Sequence, residues 1–197
     1  MSEPRTITID GVTLTLVVER KCVKHFNARL RGSTVSVSAP LHTPATELDR
    51  AIPELTRTLL RQVRARQINR EEDALALARR VAARFPRPPD VAAVAFVTTQ
   101  RSRWGSYSPS TRTIRLNAVL RQMPRWVLEA VVAHELVHGV HLSHSEAFRQ
   151  LVRSVCPDSD RANAFLEGVS WLAGSWQRLP PVERALLVPA PGEESLD

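Results

Sequence analysis

From Arg5 to Ala39 apolar and polar residues alternate: Ile7 and Ile9, then Val12, Leu14, Leu16 and Val18, then Val35 and Val37. A period of two puts successive side chains on opposite faces of a pleated strand. Asp10-Gly11 and Arg31-Gly32-Ser33 punctuate the runs as turns, so three or four antiparallel strands are expected. After Pro40 the period lengthens. Thr46-Glu47-Leu48 opens a basic amphipathic run through Leu55, Leu59, Leu60, Val63 and Ile68, and Ala74 to Ala78 with Val81 make another. Two helices are predicted, stopping near Phe85 because Pro86, Pro88 and Pro89 cannot continue one. Alternation returns in Val91 to Thr99 and in Thr113 to Asn117, two further strands with Pro109-Ser110 in the turn between them.

Pro124 suits the first position of a helix from about Arg125 to Gly139 that is apolar nearly all round. Ser143 with Glu146 three residues on has the form of a capping box, which would start a helix through Phe148, Leu151, Val152 and Val155. Asp158 or Ser159 is the expected cap of a last helix to about Trp176. These elements give an α+β fold in which residues 1–40 form an N-terminal antiparallel β region. Residues 41–178 form a mainly helical region, one compact domain together with 1–40, and 179–197 form a proline-rich acidic tail expected to be poorly ordered.

The 197 residues suffice for one sizeable core. A composition of 43% hydrophobic and 24% charged residues excludes wholesale disorder. No window approaches 18 uncharged apolar residues, and the first twenty residues carry Glu3, Asp10 and Glu19, so neither membrane spanning nor secretion is indicated and a cytoplasmic location is expected. Cys22 and Cys156 stand far apart, which rules out a disulfide framework or a thiolate zinc site. The net charge of +7 is compatible with an anionic partner, although a solvated basic surface is the simpler reading of arginines spread along the chain. Nothing in the sequence fixes the oligomeric state.

The candidate chemistry lies in the apolar helix, as His134-Glu135-Leu136-Val137-His138. At 3.6 residues per turn the two histidines stack on one face, and Glu135 is rotated away, placed to reach a water bound to the metal rather than the metal itself. Buried His and Glu without partners would cost several kcal/mol; one metal ion accounts for all three. A hydrolytic zinc site needs a third protein ligand. His141 shares the face of His134 but would lie about 10 Å along a continued helix. His144 is preferred, folded back through Gly139 to Leu142, with His141 left as a supporting or surface residue. His25 and His42 have no supporting neighbours. Upstream, Arg101-Ser102-Arg103-Trp104-Gly105-Ser106-Tyr107 groups cations around an aromatic ring, suited equally to binding an anionic group and to a packed turn.

Arg103-Trp104-Gly105-Ser106, Ile114-Arg115-Leu116-Asn117, the His134 to His138 pentad and His144-Ser145 with Phe148 follow in an order that resembles the YgjP-like metallopeptidase family, related to SprT-like and WLM-domain proteases. The resemblance extends over roughly residues 5 to 175. It implies a zincin-like, minimal-gluzincin fold, with His134, His138 and His144 as ligands of one Zn²⁺, Glu135 as catalytic base, and Arg101, Arg103, Trp104, Arg115 and Asn117 as substrate-binding or supporting residues. This chain has Tyr107 where many members have Cys, and Arg149 where a Trp is common.

Three functions follow as expectations. The first is a zinc metallopeptidase acting on a peptide or protein substrate, with Thr113 to Asn117 as the edge along which an extended peptide pairs. The second is a nucleoside-triphosphate pyrophosphatase using the same metal, since one family member is described as a UTP pyrophosphatase. The third is a nucleic-acid-associated protease or binding module, with Arg57, Arg61, Arg64 and Arg66 as a phosphate-tracking set on the helix, of which 57, 61 and 64 share one side. Zinc is the expected ion for three imidazoles, with other divalent metals open.

Overall fold

The computed structural model of the chain describes residues 3–71 and 73–187. Seven strands and six helices run in the order β1 (Arg5–Ile9), β2 (Val12–Lys21), β3 (Asn27–Arg31), β4 (Thr34–Pro40), α1 (Ala45–Glu71), α2 (Ala74–Ala82), β5 (Ala93–Val97), β6 (Gly105–Ser108), β7 (Thr113–Asn117), α3 (Arg125–Val137), α4 (Glu146–Val155), α5 (Ser159–Ser175) and α6 (Pro181–Leu186), with a 3-10 turn at Ala118–Gln122. They divide into two compact units: residues up to 74 with 95–103, and 75–94 with the residues from 104 on. The division does not follow the expected boundary at residue 40, because α1 packs on β1, β3 and β4 and belongs with the N-terminal strands. No described helix is long and apolar enough to cross a membrane.

In the first unit a four-stranded sheet has the order β1-β2-β4-β3. The expectation of a wholly antiparallel sheet is corrected here: β4 lies parallel to β2, with Leu16 opposite Val35 and Val18 opposite Val37. The side chains explain the order. Val35, Val37 and Ala39 of β4 are fully buried and claim a central position, whereas β3 carries exposed Arg29 and Arg31 and takes the edge. The hairpins are set by their turns. Asp10 and Gly11 both have positive φ (50° and 78°), as a two-residue type I′ turn requires, and Gly32 at 55° begins the β3–β4 turn. The sheet and α1 enclose Leu14, Leu16, Val35, Val37, Ala39, Leu48 and Ile52. The arginine face anticipated on α1 is partly engaged, since Arg57 binds Asp10 and Glu54 and Arg64 donates to Gln67.

Residues 95–103 return to this unit through side-chain hydrogen bonds, among them Thr98 Oγ1, which donates to the Arg61 carbonyl at 3.0 Å. Asn69 Oδ1 accepts from the Phe96 N–H at 2.8 Å, and its Nδ2 donates to the Phe96 carbonyl at 2.8 Å and to the Ala65 carbonyl at 2.7 Å. The carboxamide thereby pairs with Phe96 as a neighbouring strand would.

In the second unit β6 pairs antiparallel with β7, Gly105 opposite Leu116 and Tyr107 opposite Ile114. The sheet order β5-β7-β6 makes β7 the middle strand, which corrects its expected role as the substrate edge. The end of the segment read as a basic turn, from Gly105 on, is the strand β6 and occupies that edge, while Arg101 and Arg103 lie outside it. α3 packs against β6, β7, α4 and α5 and is the unit's central rod. Val127, Val132, Ala133, Leu136 and Val137 are fully buried, as the apolar pattern required. α4 is capped by Ser145, whose side chain accepts from the Phe148 N–H at 3.3 Å, and not by Ser143. Within the segment expected to be a loose tail, Pro181–Leu186 are helical; residues 188–197 lie outside the described ones.

Replacing Asn69 with Ala removes this pair of hydrogen bonds to the main chain of Phe96, so urea unfolding should report a loss of about 2 kcal/mol; an unchanged midpoint would show that β5 does not depend on this side chain.

Candidate metal centre

The site is built on the C-terminal end of α3. His134 and His138 lie one turn apart on this helix with ring centroids 5.1 Å apart, and His138 is its C-cap residue. The chain then turns through 139–143 and presents His144 immediately before the Ser145 cap. This short reversal brings the third imidazole back over the first. His134 Nε2 and His144 Nε2 are 3.0 Å apart, and one ring nitrogen from each of the three histidines falls within 4.8 Å of the others.

Those distances fit a shared ion. Two nitrogens about 2.0–2.1 Å from one tetrahedral centre stand about 3.3 Å apart. Two imidazole lone pairs also repel at 3.0 Å unless a proton or a cation lies between them. The remaining nitrogen of His138 is spoken for: Nδ1 faces the His141 carbonyl at 3.2 Å, which fixes the ring and leaves Nε2 for the cluster. His141 thus enters through its backbone and not its ring. Phe148, buried, lies with its ring centroid 4.9, 4.7 and 4.7 Å from those of His134, His138 and His144 and forms an apolar wall behind all three.

The electrostatics favour neutral imidazoles. Burial, reinforced by the neighbouring charges of His138 and His144, lowers the His134 pKa to about 4, and burial lowers His138 as well. Both rings therefore offer lone pairs at neutral pH, as metal ligation requires.

Glu135, at 6% exposure, is the one charged side chain among the described residues to be buried in the protein. Its carboxylate lies against Gly105 at the start of β6. A Cβ at position 105 would fall 2.5 Å from Glu135 Oε1 and 2.8 Å from its Cγ, so only glycine leaves room for this rotamer. Gly105 is a site residue that spacing alone does not reveal; its position in the Arg-Trp-Gly-Ser segment was the available signal.

The other expected residues divide. Trp104, half-buried, borders a cavity together with Gly105, His134 and Glu135. Asn117 Oδ1 accepts from Val119 N–H at 3.0 Å to cap the 3-10 turn, and its N–H donates to the Trp104 carbonyl at 2.8 Å. Arg115 is exposed on β7 opposite Ser106. Arg101 and Arg103 are exposed and belong to the other unit. Arg149, at the position where a Trp is common, donates to the His144 carbonyl at 2.8 Å while its Nε binds Glu146, and so tethers the third histidine. The only sign of it was its place five residues after His144.

Residues 71–168 match the YgjP-like, metallopeptidase domain family. No curated protein and no solved structure matches the chain. The family match marks this part of the chain as a domain of metal-dependent hydrolase type, and the histidine cluster can hold one ion.

Two outcomes follow from the geometry. Gly105→Ala should leave metal affinity intact, by equilibrium dialysis, yet cut hydrolytic turnover at least about tenfold, because the Glu135 carboxylate must move. In chelator-treated protein the folded His134 titrates near 4 and the unfolded one near 6.5. The unfolded chain thus binds more protons in between, so stability is complete above about pH 6.5 and falls as the pH drops toward 4. Urea midpoints measured across that window should show the fall, and His134→Gln should flatten it.

Proposed function

We propose, from the premise that residues 71–168 are a YgjP-like metallopeptidase domain, that the chain is a zinc-dependent peptidase of zincin-like architecture with Glu135 as its general base. The observation that carries this reading is the convergence of three imidazole nitrogens beside one buried carboxylate on the same helix. His134, His138 and His144 would hold the ion, and three neutral nitrogen donors make zinc the favoured one. When bound, the ion supplies Lewis acidity, drawing electron density from a water and from the scissile carbonyl.

The chain's own residues supply the rest. The Glu135 carboxylate takes the proton that the attacking water loses, keeps it in a site closed off by α3 and Gly105, and passes it to the leaving amine nitrogen. The tether from Arg149 and the His141 carbonyl limit the motion of His144 and His138, which supports a preorganised cluster.

β6 is the candidate strand for pairing with an extended substrate. Because the Asn117 N–H donates to the Trp104 carbonyl, Trp104, Ser106 and Ser108 direct their main-chain groups toward β7. Gly105 and Tyr107 direct theirs away from it, which supports β-strand addition beside Glu135.

In a zinc-loaded preparation, Glu135→Gln should reduce cleavage of an unstructured peptide by at least about 100-fold while zinc stays bound, and His144→Ala should release the zinc. Hydrolysis of UTP to UMP and pyrophosphate by the parent, with no peptide cleaved, would overturn the peptidase assignment in favour of nucleotide chemistry.

A further inference from the structure

A cavity of about 220 Å³ lies on the flank of α3, beside His134 and Glu135 and walled by α5 and the first residues of β6. It is far larger than a single water needs. Its lining is mixed: Ala130, Val131 and Ala162 are buried and make one small apolar wall that Leu166 continues, while Trp104, His134 and Glu135 stand on the side of the histidine cluster. Glu135 is the one charged residue that lines it, so an anionic guest meets like charge, and a cationic one would tie up the carboxylate that the proposed reaction needs.

On the α5 side two polar residues, Ser159 and Asn163, join the lining. Ser159 is 3% exposed, and its Oγ has no hydrogen-bond partner. Asn163 follows one helical turn later on the same face of α5 and stands exposed at the mouth. A buried hydroxyl is paired in nearly every folded protein, and each exception calls for an explanation. His134, Val152, Ser159 and Asn163 also border a second hollow that contains His144, so this unsatisfied hydroxyl stands between the metal-binding cluster and the cavity.

We infer that this cavity receives the substrate side chain adjacent to the scissile bond and selects an uncharged side chain with an apolar stem and a carboxamide tip, glutamine being the complement. The stem packs on Val131 and Ala162. The carboxamide carries both a donor and an acceptor, as do the Ser159 hydroxyl and the Asn163 amide, so each can be paired in turn. The inference rests on the peptidase reading for the word substrate, but the pocket's preference can be measured without turnover.

The test is a pair of measurements on the full chain. N-acetyl methylamides of Gln, Leu, Glu and Lys are titrated into ¹⁵N-labelled protein, and a mixed peptide pool is digested and its cleavage sites read by mass spectrometry. The Gln compound should shift the amides of Ala130 and Ala162 and bind about fivefold tighter than the Leu compound, with Glu and Lys weaker still. Ser159→Ala should bring Gln down to the level of Leu without lowering the melting temperature, and Ala162→Phe should abolish both. Equal binding of Gln and Leu overturns the inference. So does a Ser159→Ala protein that melts lower with its Gln preference intact, because the hydroxyl then serves the fold. Cleavage of the pool with no preference at the bond, unchanged by Ala162→Phe, also overturns it while leaving the peptidase reading standing. Selective Gln binding without any peptide cleavage supports the pocket and removes the peptidase reading.

Discussion

A carboxylate held inside an apolar helix is the constraint around which the second unit is arranged. Nearly every other inward position of α3 is aliphatic, and Glu135 joins them at 6% exposure. Burying a charge there is costly unless its surroundings compensate, so the neighbouring structure must be shaped to the group. The shaping is visible in Gly105, whose missing side chain is the space that the carboxylate fills, and in β6, the strand that Gly105 begins. The histidines on either side follow from the same helix, which sets them one turn apart without further specification.

The third imidazole is fixed by different means. His144 belongs to no helix; its position is the outcome of a five-residue reversal, of the Ser145 cap that starts α4 at once, and of the Arg149 guanidinium on its carbonyl. α4 in turn supplies Phe148, whose ring touches all three histidines. A local helix-start signal therefore does two things, ending the loop and setting the apolar backing of the cluster.

Periodicity made the long elements legible. β7 has the bounds expected of it, α3 begins where Pro124 indicated, and the histidine pair needed only the helical repeat. What escaped was decided by contacts distant in sequence. The residues of β6 are short and polar, with a glycine at the start, and read as a turn until β7 is there to pair with them. The parallel placement of β4 beside β2 depends on which strand best tolerates burial on the inside of a sheet, a comparison between strands that no single strand contains. Ser143 and Ser145 both precede α4, and only the backbone geometry at Ser145, with φ −65° and ψ 173°, makes it the cap. Gly105 and Arg149 carry no periodic signature; their importance lies in what they face.

The assignment of residues 95–103 to the first unit has a bearing on how the molecule can be dissected. The chain leaves that unit after residue 74, comes back for nine residues, and departs again at Trp104. No single cut separates the two units, and the family segment at 71–168 contains a stretch whose anchor, Asn69, lies just before its first residue. A fragment trimmed to the family boundaries would be born with that stretch orphaned, and one ending at residue 74 would leave the Asn69 carboxamide facing solvent. During synthesis, likewise, the first unit stays unfinished until the ribosome has passed residue 103, so its closure and the start of the second unit overlap in time.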